Sequence, residues 1–374
     1  MRVCFFIPSL DGGGAQRQCI AMVNALQHMS DVEIHLILLG PGVHDDSLDL
    51  SRLQLHRTEV RNFASPFALA FVVRTLRRVR PDLLISWLHP ADLLSYAATR
   101  VVRGLPWVMT ERCSDYTDRP AYNVRKRVGR RAPAAIIANS EAGKKYWESL
   151  DPRPPVQMIP NMVIVDDVGS QVSVDRSDLA DCLFVGRLDP EKNVGAMTSA
   201  FARLAAGRPE ARLVVAGIGA HAADVVRIAE REGVASRVEL LGFRKDVPRL
   251  MARARVMLSF SLHEGMPNVV MEAVGAGLPA VVSDIPEHRA LLGDDYPYYV
   301  RLDSTPEEAA GVVAQAWDHG LTADEQVYAH AREILATMTP EKIARAYIDA
   351  FAAIIAGADP RNALPLARGE LRRL

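Results

Sequence analysis

Two carboxylates, Glu264 and Glu272, stand eight residues apart in the run SLHEGMPNVVMEAVGAGLP over residues 261–279. An apolar stretch, Arg255–Ser261, precedes them and reads as a buried strand. Gly265, Pro267 and Asn268 carry turn chemistry, and Pro267 suits the first position of a helix because its missing N–H costs nothing there. Glu264 then sits on a strand-to-helix turn, with Glu272 about one turn into the helix. A helix start offers unpaired backbone N–H groups and a partial positive charge, which suits an anion. Carboxylates beside an anion site accept hydrogen bonds from neutral hydroxyls. A phosphate with hydroxyls attached describes a sugar nucleotide.

Four other segments carry residues suited to the same ligand. In FVGRLDPEKN (184–193), Arg187 and Lys192 lie five apart across a turn. An arginine fork and a lysine point charge together match a diphosphate; the alternative is plain surface charge, although cations are disfavoured near a helix start. In SLDGGGAQR (9–17), Gly12, Gly13 and Gly14 let backbone approach a ligand, or else form a tight packed turn. In LVVAGIGA (213–220), Gly217 and Gly219 end a strand and, with Ala222, fit G-x-G-x-x-A. A nicotinamide site is disfavoured there, because no acidic residue ends the following strand, 238–241. In LGFRKDV (241–247), Phe243 and Arg244 could stack on a base; a surface turn is the other reading.

These motifs all follow strand-like runs. The first half offers strands at 3–8, 32–39, 53–60, 83–87, 107–110, 135–139 and 156–159. The second half offers 182–185, 213–216, 238–241, 256–260, 280–283 and 298–300. Helical patterns alternate with them, which predicts parallel sheets with helices on both faces. At 374 residues one core is too few. The expected organisation is α/β, with two doubly wound Rossmann-like domains at 1–165 and 178–339. The polar stretch 166–178 reads as their linker, and a helix near 340–357 opens the C-terminal segment 340–374. Open sheets bind ligands beyond the carboxyl ends of their strands, so two facing domains would share a cleft.

Composition sets limits. No apolar run is long enough to cross a bilayer. The start, MRVCFFIP, enters a strand pattern without a signal-peptide lead. Cys4, Cys19, Cys113 and Cys182 show no metal spacing and read as thiols of a reducing, cytoplasmic compartment. The ten histidines form no close metal pair; His263 and His288 flank the key segment, and packing is favoured for His288. No D-x-D, no phosphate-binding P-loop and no G-x-S-x-G elbow occurs, so no metal and no cofactor is expected, and no nucleic-acid partner. Residues 1–160 hold 21 Lys+Arg against 15 Asp+Glu, a balance of +6, whereas 161–374 hold 23 against 30, a balance of −7. A basic first half invites an acidic partner or is simply solvated.

Taken in order, these segments resemble the GT-B retaining glycosyltransferases of family 4, over nearly the whole chain. The resemblance rests on Gly12–Gly14, on G-R-L-x-x-E-K with Arg187 and Lys192, on the G-x-G at Gly217, and on E-x7-E at Glu264 and Glu272. It implies a nucleoside diphosphate sugar donor. Arg187 and Lys192 would neutralise the diphosphate, Glu264 would hold sugar hydroxyls, and Glu272 the ribose. Backbone of Gly265, Met266, Pro267 and Asn268 would reach sugar or phosphate, and Phe243–Arg244 the base. Gly13 and Gly14 would approach the donor from the other domain, and the last helix would cross back to the first domain.

One segment departs from the family pattern. Where many members carry a histidine, this chain has Thr110-Glu111-Arg112-Cys113, resembling a subgroup that builds bacterial surface and lipid-linked glycans. Glu111 is the candidate first-domain carboxylate, touching the acceptor; the alternative is a structural pair with Arg112 or Arg119. The expected reaction is retaining transfer of a hexose or N-acetylhexosamine, UDP-sugar favoured, to a glycan or lipid-linked glycan. A sugar-nucleotide epimerase or hydrolase and a non-catalytic binder remain alternatives. The basic run 119–131 and the segment 66–80, apolar first and basic last, read either as ordinary surface or as peripheral contact with an anionic membrane at the cytoplasmic face of the inner membrane.

Overall fold

The computed structural model describes residues 1–60, 62–63, 65–112, 120–163, 179, 181–319 and 327–362. The expected linker 166–178, Cys113, Arg119 and the tail beyond 362 lie outside the described residues. The chain divides into two compact units, Met1–Met162 with Met338–Leu374, and Val163–Thr337.

In chain order the first unit holds β1 (Arg2–Phe6), α1 (Gly14–Leu26), β2 (Glu33–Leu38), β3 (Gln54–Arg57), α2 (Pro66–Val79), β4 (Leu83–Ser86) and α3 (His89–Val101). It continues with β5 (Trp107–Glu111), α4 (Pro120–Gly129), β6 (Ala135–Ala138), α5 (Glu141–Ser149) and β7 (Val156–Met158). The second unit holds β8 (Asp181–Val185), α6 (Val194–Gly207), β9 (Arg212–Ala216), α7 (Ala222–Arg231), β10 (Val238–Gly242), α8 (Val247–Arg253) and β11 (Val256–Ser259). Then come α9 (Asn268–Gly275), β12 (Ala280–Ser283), α10 (Pro286–Leu292), β13 (Tyr299–Val300), α11 (Pro306–His319) and α12 (Ala329–Thr337). Helix α13 (Pro340–Ile355) belongs to the first unit.

Each expected strand is present. The orders are β3-β2-β1-β4-β5-β6-β7 and β10-β9-β8-β11-β12-β13, and the neighbours pair in parallel. Helices on both faces explain why central strands such as β1, β4 and β11 are apolar along nearly their whole length. The edge strands β3 and β10 are less buried, with Gln54 and Arg57 exposed in the first and Glu239 and Leu240 in the second.

In each sheet the order reverses once, between β1 and β4 in the first and between β8 and β11 in the second. Crossovers leave to opposite faces at such a point, so the loops beyond the strand ends part and leave a crevice. The loops so singled out are those after β1 and β4, and those after β8 and β11.

The first unit is closed by its last helix. Helix α13 starts at a Thr339 cap, whose hydroxyl accepts from Lys342 N, and lies against α1. Arg112, just past β5, donates to Tyr347 Oη on α13 and to Asn161 Oδ1 at 2.9 Å, with its guanidinium 3.8 Å above the Trp87 ring. One cation thus ties two strand ends to the C-terminal helix.

At the β3 edge, His35 and His56 stack, with 2.9 Å between His35 Nδ1 and His56 Nε2. Arg78 of α2 donates to His56 Nδ1, so the His56 proton sits on Nε2 and points at His35, which in turn donates to Glu33. A second proton on His56 would have to face Arg78. Burial first, then the charges of His35 and Arg78, lower the His56 pKa from 6.5 to about 4. The unfolded chain therefore binds more protons than the folded one between these values. This contribution to stability is complete above about pH 6.5 and is lost as pH falls toward 4. Thermal melts from pH 7 to 4.5 should show that decline, and His56→Gln should flatten it; an unchanged slope in the variant would exclude His56 as its source.

Candidate active site

The loop after β8 opens with Gly186 at φ +155°, a value open to glycine alone, and runs to Asn193 at φ +46°. It is laid across the end of β9. Gly186 N donates to Ala216 O, Leu188 N to Ile218 O, and His221 N to Leu188 O. A Cβ on Gly217 would stand 1.8 Å from Gly186 O, and one on Gly219 2.4 Å from Leu188 O. The G-x-G therefore admits the chain's own backbone at these faces, which is a packing reason for both glycines.

The loop after β11 meets this one. Leu262 N donates to Glu191 O, and Lys192 Nζ donates to Glu264 Oε1 at 2.6 Å. Ser261 Oγ donates to the same Oε1 at 2.6 Å. Glu264 is thus held through one oxygen, and its Oε2 has no hydrogen-bond partner among the described residues. Ser261 is held in turn, since its carbonyl accepts from Ser283 Oγ at the end of β12. His288 of α10 donates from Nδ1 to Ser283 O at 2.8 Å, which leaves Nε2 as a buried acceptor without a partner among the described residues. Burial lowers the His288 pKa and keeps the ring neutral, in line with the packing role expected for it. Burial, with the nearby Glu264 charge, raises that of Glu287.

Helix α9 begins at Asn268, with Pro267 as its cap residue, one position earlier than the expected role of Pro267 as first helical residue. Gly265 and Met266 form the bend before it, and Glu272 is the fifth residue of the helix, half-buried. Arg187 lies 63% exposed and pairs with Asp189 and Glu191 of its own loop. Arg187 and Lys192 thus share one loop, but only Lys192 reaches Glu264. Phe243 is exposed just beyond β10, and Arg244 is engaged by both oxygens of Asp246 at 2.7 Å.

In the first unit, Gly13 caps α1 and Gly14 begins it, on the loop after β1. Among the described residues nothing beyond its chain neighbours lies within 4 Å of where a Gly13 Cβ would be. On the other side of the same reversal point, Leu88 is forced to φ +76° at the start of α3, an outlier for a bulky residue.

The expectation that Glu111 is an accessible carboxylate is revised. Its side chain is 1% exposed, and Oε2 accepts from Arg125 Nη1 at 2.6 Å and from Trp147 Nε1 at 2.7 Å. Arg125 Nε also binds Asp92 Oδ2 at 2.6 Å, and Ser86 Oγ donates to Asp92. Burial raises the Asp92 pKa against the opposing pull of Arg125. Arg125, fourteen positions away on α4, is a cationic partner of Glu111, whereas Arg112 donates to it from its backbone N–H. Glu111 therefore anchors α4 to the sheet.

Sequence reasoning missed Ser261, Ser283, Arg125 and Asp92. Ser261 carried a signal, a hydroxyl at a strand end three residues before a key carboxylate. The others come from distant elements and carried none.

The substitution Gly217→Ala should lower stability by about 1–3 kcal/mol or more, since backbone must move. Gly13→Ala meets no such clash and loses only a glycine cap, so it should cost less, about 0.5–1 kcal/mol. Urea titration of both variants tests this, and equal effects would count against the packing account. Arg125→Ala leaves two buried carboxylates without their cation and should cost about 3–5 kcal/mol; a loss below about 1 kcal/mol would mean water reaches the network.

Two family models match. "Glycosyltransferase Family 4" covers residues 12–167, and "Glycosyl transferases group 1" covers residues 180–319. Campylobacter jejuni "GalNAc-alpha-(1->4)-GalNAc-alpha-(1->3)-diNAcBac-PP-undecaprenol alpha-1,4-N-acetyl-D-galactosaminyltransferase" is 26% identical over 73% of this chain and 77% of its own. The lipopolysaccharide core biosynthesis glycosyltransferase LpsE of Rhizobium meliloti is 26% identical over 75% and 78%. Among solved structures, Anabaena HepE in complex with UDP and glucose superposes with a TM-score of 0.78 at 19% identity, over 94% of this chain and 100% of that one. Sucrose-phosphate synthase of Thermosynechococcus elongatus gives 0.77 at 14%, over 96% and 100%.

Proposed function

The chain belongs to the glycosyltransferases of group 1 and family 4, with the GT-B fold, and from that premise we propose a specific reaction. A hexose or N-acetylhexosamine passes from a nucleoside diphosphate sugar, UDP-sugar favoured, to a hydroxyl of a lipid-linked or other glycan, with retained anomeric configuration. The single observation behind this reading is Glu264, fixed through Oε1 by Lys192 and Ser261 and left with Oε2 open. A carboxylate so held can accept a sugar hydroxyl without first reorganising.

The roles follow from the groups at hand. Lys192 has three N–H donors, one of them on Glu264, so two remain for phosphate oxygens. Arg187, on the same loop, is exposed and adds a planar fork for the diphosphate. The N–H groups at the start of α9, from Gly265 to Asn268, add dipole where charge builds on the leaving diphosphate. Glu272 serves the ribose, Phe243 and Arg244 the base, and Gly217 supports the loop that carries Arg187. The part expected for Gly13 and Gly14 toward the donor belongs to the same proposal. The departing phosphate takes the acceptor proton on the same face, so no enzymic nucleophile is assigned.

The acceptor reading draws on relatives named for undecaprenol-linked and lipopolysaccharide glycans. The proposal includes work at the cytoplasmic face of a bacterial inner membrane, with peripheral contact to anionic lipid.

Arg187 discriminates well, because exposed ion pairs contribute about 0–1 kcal/mol to stability. Arg187→Ala should therefore melt like the parent. Its kcat/KM should fall roughly a hundredfold or more if the guanidinium stabilises the leaving diphosphate. Glu264→Gln should lose a comparable factor. Transfer from UDP-sugars, with the product anomer read by NMR, checks both. Unimpaired transfer by Arg187→Ala, an inverted product, or release of free sugar without acceptor would each sink part of the proposal.

A further inference from the structure

In the loop after β1, every carbonyl from Leu10 to Gly12 is engaged, and one residue takes two of them. His44 N donates to Leu10 O at 3.4 Å, and His44 Nε2 donates to Gly12 O at 2.9 Å. Asp11 O accepts from Gln16 Nε2 at 2.6 Å. A carbonyl oxygen only accepts, so the imidazole proton that faces Gly12 sits on Nε2. His44 is 6% exposed, whereas Asp11 and Gly12 lie at the surface. A buried histidine thus holds an exposed glycine turn from the inside.

The connection after β2 that carries His44 is anchored without the imidazole. Gly42 packs so closely on the loop that a Cβ there would stand 2.4 Å from the Leu10 carbonyl carbon. Val43 N donates to Asp11 Oδ1 at 2.9 Å. Asp45 accepts from Gly42 N and from Arg57 of β3. Asn24 of α1 donates to Ser47 O and accepts from Asp49 N. The His44 ring is therefore presented to Gly12 by a segment already docked on the loop.

The bond to Gly12 O sets the direction of the next donor. In a trans peptide the C=O and the following N–H point to opposite sides. With Gly12 O drawn to His44, the Gly13 N–H faces away from it. Gly12 stands at φ +121°, where a side chain would be strained, so the turn is held in a conformation that suits glycine. Among the described residues, no acceptor is bonded to the N–H groups of Gly12, Gly13 or Gly14. Trp87, just past β4, secures the first turn of α1 by donating from Nε1 to Ala15 O at 2.8 Å.

We infer that His44 is a positioning residue for the transfer reaction: its Nε2–H fixes the Gly12–Gly13 peptide plane, so that the Gly13 N–H is presented to an oxygen of the donor as charge builds there. The inference rests on the part proposed for Gly13 and Gly14 toward the donor. His44 lies in none of the sequence motifs, and acts from the connection between β2 and β3.

The test compares two variants of the full chain. His44→Phe keeps a planar ring without a donor, and His44→Gln returns an N–H near the Nε2 position. Thermal melts check that both fold. The residues proposed for the nucleotide, Phe243, Arg244 and Glu272, belong to the second unit, so UDP should bind both variants as it binds the parent. The kcat for transfer from UDP-sugars should fall roughly tenfold or more in His44→Phe, since misplacing a positioned group by about 1 Å can cost about a hundredfold. His44→Gln should recover the greater part of that loss. A histidine that only packs would lower the melting temperature of His44→Phe and leave the kcat of the folded enzyme unchanged. Parent-like kcat in His44→Phe, a loss confined to UDP affinity, or a His44→Gln as impaired as His44→Phe would overturn the inference. Gly13→Asp in the same assay tests the reading beneath it, since Asp is a good helix cap but sets a negative charge where the donor is expected. Lost transfer in Gly13→Asp with parent-like kcat in His44→Phe leaves the glycine loop at the donor and removes His44. Parent-like transfer by Gly13→Asp removes both.

Discussion

Parallel strand pairing is the constraint on which this molecule depends. Each strand must be regained by a crossover, so all strands of a sheet end at the same edge. Every chemically suited loop of a unit is gathered there without any specific attraction between them. The reversal between β8 and β11 then decides which two loops face each other. Lys192 and Glu264, 72 residues apart, meet because they stand on those two loops. The ion pair refines a placement that the topology has already made.

The tiers of holding around Glu264 show how such a site is kept rigid. The carboxylate is set by Ser261, the Ser261 carbonyl by Ser283, and Ser283 by His288. The supporting groups, Ser261, Ser283 and His288, are all more deeply buried than Glu264 itself. The last group in the series is a neutral imidazole with no exposure at all. A carboxylate supported in this way can keep one lone-pair edge open, because the side chain is already fixed by the other.

Much of the fold was legible because its signal is local. Every expected strand formed, from Val3 to Val300, since a both-faces-buried strand is apolar by itself and needs no partner to be recognised. The turn positions of Arg187, Lys192 and Glu264 were legible for the same reason, since these are polar residues close behind apolar runs. What could not be read were pairings across elements. Glu111 was singled out because it stands where many family members carry a histidine, yet its partners Arg125 and Trp147 come from α4 and α5. Gly217 looked like a ligand contact, and the backbone crossing it belongs to the chain itself. Residue type is visible in sequence, whereas the identity of the neighbour is not.

The tie between Arg112 and Tyr347 has a consequence for how the protein is made. The first unit includes residues near both ends of the described chain, with the whole second unit inserted between them. On the ribosome, the seven strands of the first sheet emerge early, but α1 must wait for α13 to cover it. At about 5–20 residues per second, the roughly 190 residues between β7 and the end of α13 take about 10–40 s to synthesise. For that interval α1 has the sheet on one side, while the side that α13 covers is without that partner. The second unit, continuous in sequence, is complete first. The N-terminal half of this protein is therefore the last to finish folding, and its exposure to chaperones is set by the time needed to translate the other half.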